Sequence, residues 1–460
     1  MKKKPGMIRK SAAGLLLAGS LMFQTGAAWA ALPPAADSLT ALADSLGKDM
    51  GSLLSDEELL PAGDSVSDWI AFLTGRTGNK EMGAAYLNRL EEYVTKQYKE
   101  QGGLDPFTAT SWHRMILTVA ALGGEPTAFG EDADGNPVNL VADGCYNFHM
   151  TDSFDAQGMN AWLYALIALD SSDYKVPEGA KYTREAILEH IVSMQEEDGG
   201  FGLMKGGSDV DITAMVLQAL APYQHNTVQY LDRDTFPVRI SDVTDKALSY
   251  LSSMQQKDGG YKSSDVSNSE SCSQVIIALC SLGIDPETDS RFIKESHSVV
   301  DALDAFRLDD GSYSHDDAMI SDGMATQQAA FAGFSLEQFR SGERRIFDLT
   351  DRPLDQAISL EAELSAMSEE EIKEKAEDLL KEYESVTPED RCYVYSFSKV
   401  IHALEEKGIA FDEETSLYYE LNDKTPTAYA AAGKSHSDQK SNAILYAGIG
   451  ILVIGIAGGT

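Results

Sequence analysis

A short glycine turn recurs along this chain, and a recurring turn admits few folds. Asp198-Gly199-Gly200-Phe201 returns as Asp258-Gly259-Gly260-Tyr261, as Asp310-Gly311-Ser312-Tyr313, as Asp143-Gly144-Cys145-Tyr146 and, more faintly, as Gln101-Gly102-Gly103-Leu104. The steps are 42, 55, 60 and 52 residues, room for one pair of helices each. Gln195 and Gln255 keep one offset from their turns. After each turn comes a polar stretch and then an apolar helix: Ser111 to Leu122, Met159 to Leu169, Ile212 to Leu220, Cys272 to Leu282 and Ala325 to Phe334. Between them lie helices apolar on one face only, such as Arg184 to Met194 and Thr244 to Met254. A helix apolar on every side must be enclosed, so the first set forms an inner layer and the second shields it. "DWIAFLTG" from Asp68 supplies a further inner helix and "EMGAAYLNRLEEYVTKQYK" a further outer one. Six hairpins in a ring would close residues 66–350 into an all-α, (α/α)6 toroid around one cavity; an open solenoid of the same hairpins is the architectural rival.

The Gln-x-x-Asp-Gly-Gly-Phe and Gln-x-x-Asp-Gly-Gly-Tyr turns, with "SDVDITAMVLQAL", resemble the prenyltransferase and squalene-oxidase repeats of terpenoid cyclases and protein prenyltransferase β-subunits. "SWHRMILTVAALGGEPTAFG", "NLVADGCYN", "GMNAWLYALIALD" and "MATQQAAFAGF" are similar to exported repeat proteins of Gram-positive bacteria. The resemblance implies the toroid and leaves function open, because such toroids include enzymes and non-catalytic cobalamin carriers.

Asp209 and Asp211 stand just before an inner helix. As helix caps they would accept bonds from its free N–H groups, contributing about 0.5–2 kcal/mol. By resemblance to the Asp-x-Asp-Asp-Thr-Ala motif of class II terpenoid cyclases, Asp211 falls at the proton donor, with Thr213-Ala214 matching and Ile212 replacing the third Asp. Losing that partner weakens the acid, and the residues favour a cap. By resemblance to prenyltransferase β-subunits, Asp143 and Cys145 match an Asp-x-Cys-Tyr pair of zinc ligands. Ile212 stands where that family's histidine would be, and a carboxylate with one thiolate leaves zinc short of ligands, so no cofactor is expected. His113 or His149 could complete such a set only from elsewhere in the fold. His113 reads as a histidine at a helix end or as a polar ligand contact. Trp69, Trp112 and Trp162 fall on successive inner helices and suit either core packing or an aromatic wall for a flat apolar ligand. The chain has no Gly-x-Ser-x-Gly elbow, no His-Glu-x-x-His, no phosphate loop and no Gly-Cys-Gly-Glu-Gln thioester. "DADGNP" at Asp132 to Pro137 lacks the distal Glu of a calcium loop and reads as a turn.

With 37 basic against 73 acidic residues the formal charge is −36, which excludes nucleic acid as a partner. Residues 1–30 read as an export signal, with Lys2, Lys3, Lys4, Arg9 and Lys10 before an apolar run from Ala13 to Met22. Ala443 to Gly459 is uncharged and long enough for a membrane anchor, after a polar linker at 429–442. Residues 31–65 read as an acidic flank and 351–428 as a charged helical extension packed on the toroid. Four cysteines in an exported chain permit disulfides, but Cys272 and Cys280, about 12 Å apart along one helix, cannot bridge each other. The expectation is a cell-surface toroid, anchored in the membrane, whose cavity binds a small apolar or flat, corrinoid-like ligand without turning it over. The alternatives are a terpenoid-cyclase or prenyltransferase-type enzyme using Asp211, and a structural module for protein contacts.

Overall fold

The computed structural model describes residues 35–47, 54–228, 238–263, 266–412 and 417–420. Six inner helices follow the apolar segments: α2 (Ser65–Arg76), α4 (Thr110–Ala121), α5 (Met159–Asp170), α7 (Val210–Leu220), α9 (Ser269–Ser281) and α11 (Gly323–Ser341). Each packs on the next, and α11 returns to α2, so the ring closes and the open solenoid is excluded. The outer layer holds α1 (Ala35–Ser45), α3 (Ala84–Gln101), a single wide turn at Ala142–Tyr146, α6 (Arg184–Ser193), α8 (Ile240–Met254) and the short α10 (Val299–Asp304). The inner helices are buried nearly all round, as their composition requires; every residue of α9 is buried.

The glycine turns at 198–201, 258–261 and 310–313 do one mechanical job, whereas the copy expected at 143–146 is the wide helical turn Ala142–Tyr146, with Gly144 outside the positive-φ region. Gly199, Gly259 and Gly311 hold φ of 88°, 84° and 83°, where a side chain would strain the backbone. Asp198, Asp258 and Asp310 each accept the N–H two residues on, at 3.0 Å. Gln195 and Gln255 then stitch the turn to the following outer segment, donating to Gly199 and Val243 in one case and to Gly259 and Phe292 in the other. Short antiparallel ribbons flank the later turns, with Lys262 opposite Ser267 and Tyr313 opposite Asp322.

The segment expected to be an acidic flank contributes α1, whose Ala36, Leu39, Leu42 and Ala43 join the ring's core. It serves as the outer partner of α11. Gly333 on α11 makes that docking possible, since a Cβ there would lie 2.0 Å from the Leu39 carbonyl oxygen.

Beyond the ring, α12 (Asp355–Ala366), α13 (Glu369–Ser385) and α14 (Phe397–Glu406) enclose a second core around Leu364, Leu379, Tyr383 and Phe397. The Tyr383 and Phe397 rings stack at 3.5 Å. This bundle meets the ring where Val394 offers its carbonyl to His225 Nε2 at 3.2 Å and where the Tyr395 ring lies over Gly283. All four cysteines, Cys145, Cys272, Cys280 and Cys392, are buried and none is in a disulfide. Among the described residues no helix is long and apolar enough to cross a membrane. The export signal and the anchor at Ala443–Gly459 expected from the sequence lie outside the described residues.

Gly333→Ala should therefore cost about 1–3 kcal/mol by overpacking and should raise the hydrogen exchange of residues 35–45. A denaturant titration and a hydrogen-exchange measurement that both match the parent would show that α1 is not held by this contact.

Candidate functional site

The inner helices run parallel, which gives the ring two unlike mouths. At the mouth formed by their C-terminal ends, residues 342–354 cross from α11 toward the bundle. Leu349 N–H donates to Ser171 O at 2.7 Å, Arg345 reaches Ser281 O at 3.5 Å, and Arg76 donates to Arg345 O at 3.0 Å. Arg344 pairs with Asp348 at 2.9 Å and Asp390 at 3.1 Å, and Arg352 pairs with Asp173. This strap delivers Phe347 to the axis. Its ring lies 5.7 Å from Phe72 and 6.4 Å from Trp69 and from Tyr164, with Phe331 closing the group 5.8 Å from Trp69.

The axis is thus filled with aromatic rings. A void of about 10 Å³ survives between Trp69, Thr110, Arg114 and Tyr164, room for a single water. Ligand pockets typically measure about 300–1,000 Å³, so at this point on the axis, between Trp69 and Tyr164, there is no room for an isoprenoid or a corrinoid. Beside the void, Asp68 binds Arg114 Nε at 2.8 Å and the Tyr86 hydroxyl at 2.6 Å, tying α2 to α4 and α3. Burial raises the Asp68 pKa even with Arg114 alongside.

The three tryptophans do not make one wall. Trp69 faces the axis. Trp112 points outward, its Nε1 donating to the Tyr98 hydroxyl at 2.8 Å, and Trp162 lies between α5 and α6, stacked 3.8 Å from His190. Phe148 and Phe154 link these two rings in the layer between inner and outer elements. His113 is fully buried with Nε2 2.7 Å from Gly144 O; the carbonyl only accepts, so Nε2 carries the proton. Burial pushes its pKa down to about 4, so it is neutral at pH 7. Asp143 accepts from the Tyr98 hydroxyl at 2.9 Å, and burial raises its pKa. Cys145 lies near it in sequence but is wholly buried, and burial pushes its thiol up, away from the thiolate that a metal needs. Among the described residues no group of three or more His, Cys, Asp or Glu could hold a metal ion.

Comparison between repeats separates the two carboxylates of the 209–211 pair. Asp209 caps α7, Oδ1 accepting from Asp211 N–H and Ile212 N–H at 3.0 Å, and Thr213 Oγ1 donates back to its carbonyl. Asp322 does the same at α11 with Met324, Ala325 and Thr326. Asp209 is therefore the cap its position suggests, repeated where no chemistry was expected. Counting from the caps Gly158, Asp209, Asn268 and Asp322, the sixth residue on is Tyr164, Met215, Gln274 or Gln328, and these meet across the ring. Tyr164 OH lies 3.6 Å from Met215 Sδ, and Gln218, Gln274 and Gln328 form a hydrogen-bonded chain at 2.9 and 3.1 Å. One turn back on the same face stand Asn160, Asp211, Glu270 and Met324.

Asp211 is fully buried and neither carboxylate oxygen has a hydrogen-bond partner. The Ser271 hydroxyl, equally unpartnered, stands close enough for its dipole to favour the carboxylate but outside hydrogen-bonding geometry. Burial first, then the charges of Asp209 and Glu270, push the Asp211 carboxyl up to about 8. Glu270 is held by His315 Nδ1 at 2.9 Å; burial opposes protonation of that imidazole, and the bond to Glu270 outweighs it and raises its pKa. Glu270, Ser271 and His315 escaped the sequence reading, yet aligning the repeats on their caps puts Glu270 in register with Asp211.

Residues 134–227, 155–284 and 219–337 each match the family model of the prenyltransferase alpha-alpha toroid domain, overlapping windows that span α5 to most of α11. A comparison with curated proteins gives no match.

Folding lifts the Asp211 pKa from an ordinary 3.8 to about 8, so the native state keeps a proton that the unfolded chain releases. The stability linked to this group is present at low pH and is lost as pH rises through that window. Asp211→Asn should gain on the parent progressively between pH 5 and pH 8, and the gap should then level; parallel denaturation curves at all pH values would refute the assignment.

Proposed function

We propose, for a chain that carries a prenyltransferase alpha-alpha toroid domain over residues 134–337, a non-catalytic binding role exercised at the mouth formed by the N-terminal ends of the inner helices. One observation carries this reading. Among the described residues the exposed large apolar side chains are Met82, Phe107, Leu203, Met204, Met254, Val266, Met319 and Ile320. All but Met82 stand on the loops that lead into inner helices, or at the end of an outer helix beside them. Ile320 is 69% and Met204 58% exposed, values that make them poor core residues and good contact residues. The filled axis, the strap across the opposite mouth and the capping role of Asp209 support binding over turnover.

A neutral solvatochromic dye tests this. The parent and Met82→Ser should shift the dye emission to the blue equally, and a Met204→Ser/Ile320→Ser double variant should lose most of the shift. Equal emission from all three would place the dye elsewhere and remove the reading.

The second reading is an enzyme of the terpenoid-cyclase type, favoured by one feature: Asp211 is a carboxyl that keeps its proton at pH 7 on the axial face of an inner helix. A carboxamide has no proton acidic enough to transfer to an alkene or an epoxide, so Asp211→Asn should abolish turnover of a polyprenyl alkene or epoxide while leaving the dye shift intact. Product formation by the Asn variant at the parent's rate would discard this reading.

A further inference from the structure

The mouth that carries the apolar side chains also carries charge of one sign. On the loops around it Asp152, Glu197, Asp309 and Asp317 are exposed, and none of the four side chains holds a hydrogen bond or an ion pair within the described protein. The lysines nearby are fewer, and two are already paired, Lys205 with Glu196 at 3.7 Å and Lys257 with Glu295 at 2.7 Å. The inner-helix dipoles place about half a positive charge each at this end. The outer helices run the other way and offset part of it, and Asp209, Asn268 and Asp322 already satisfy the free N–H groups of three inner helices. The carboxylates are in excess.

We infer that the N-terminal mouth docks a cationic amphipathic polypeptide segment, its apolar side chains seated on Leu203, Met204, Val266, Met319 and Ile320 and its lysines or arginines facing the surrounding carboxylates. This rests on the binding role proposed above and names the partner of that surface. The occupant is chosen by charge. An apolar collar alone would accept any hydrophobic surface, including lipid, but an anionic bilayer is repelled by the same carboxylates that attract a basic peptide. A second copy carries a formal charge of −36, so two copies repel one another on the whole, and charge favours a basic peptide over a second copy as the occupant.

The test uses the full chain and three labelled synthetic peptides of equal length: alternating leucine and lysine in an amphipathic pattern, the same pattern with glutamate for lysine, and a lysine homopolymer. Fluorescence anisotropy is read at low and at physiological salt. The leucine–lysine peptide should bind at least tenfold more tightly than either other peptide, and added salt should weaken it, since exposed charge pairs are screened within about 10 Å at 0.1 M. Met204→Ser/Ile320→Ser should cost tenfold or more, Glu197→Gln/Asp309→Asn/Asp317→Asn should weaken binding and flatten the salt dependence, and Met82→Ser should change nothing. Circular dichroism and melting of each variant guard against misfolding. Equal binding of the glutamate peptide, equal binding of the lysine homopolymer, or indifference to the mouth substitutions would each overturn the assignment. If the dye shift maps to this mouth and no leucine–lysine peptide binds, the partner is wrong and the binding surface stands; if the dye shift also fails to map there, both fall.

Discussion

Six parallel inner helices dictate most of what this molecule does with its charge. Parallel dipoles cannot cancel among themselves, so one mouth gathers free N–H groups and the other free carbonyls. The chain spends its scarce basic residues accordingly. Arg76, Arg344, Arg345 and Arg352 collect at the carbonyl end, donating to backbone oxygens as well as to Asp173, Asp348 and Asp390. Carboxylates gather at the other end as caps, with Asp64, Asp209 and Asp322 each accepting N–H groups of a first turn. The strap and the C-terminal bundle are the other half of that arrangement, for they bring three of those arginines and the second core that holds them in place.

The same geometry divides the interior. On one side of the axis Trp69, Phe72, Tyr164, Phe331 and Phe347 interlock, Trp69 edge to face with Phe72 and Phe331, Tyr164 edge to face with Phe347, and Phe72 tilted against Phe331 and Phe347, contacts that favour aromatic rings beyond simple burial. On the other side Gln218, Gln274 and Gln328 satisfy each other in a ladder. Asp211, Ser271 and Asn160 sit above that ladder with atoms that no protein group satisfies. Buried polar atoms left without partners cost about 1–3 kcal/mol each, and the residues carrying them number three on neighbouring inner helices of the polar side against Trp69, through its Nε1, in the aromatic group, so the polar side is the less settled half of the ring. Function is more naturally attached there and at the loops above than at the aromatic axis.

Much of the ring was legible in the sequence because its signals are local. A helix apolar on all sides, a recurring glycine turn and an aspartate before a helix each have a short-range cause, and the inner helices and the cap at Asp209 stand where they were expected. What failed was direction. Trp112 and Trp162 lie on helices buried all round, and periodicity cannot say whether a ring on such a helix meets the axis or the outer layer; the partners Tyr98 and His190 decide that, and they stand on outer helices. Phe347 was invisible for a related reason, since it follows the last repeat and carries no pattern, yet it takes the place that a ligand was expected to fill. Helix α1 was read as part of an acidic flank, and only the absence of a side chain at Gly333 shows how closely it docks. Glu270 could have been found by aligning repeats on their caps rather than on their glycines.

The four buried thiols have a consequence for the life of the protein outside any site. Each sulfur is enclosed separately, with burial holding Cys145, Cys272 and Cys280 in the protonated, unreactive form. No crosslink has to be made for the native state to be reached and none has to be broken for it to be left. The native state is thus held by packing and hydrogen bonding, with the thiols acting as small apolar filling inside it.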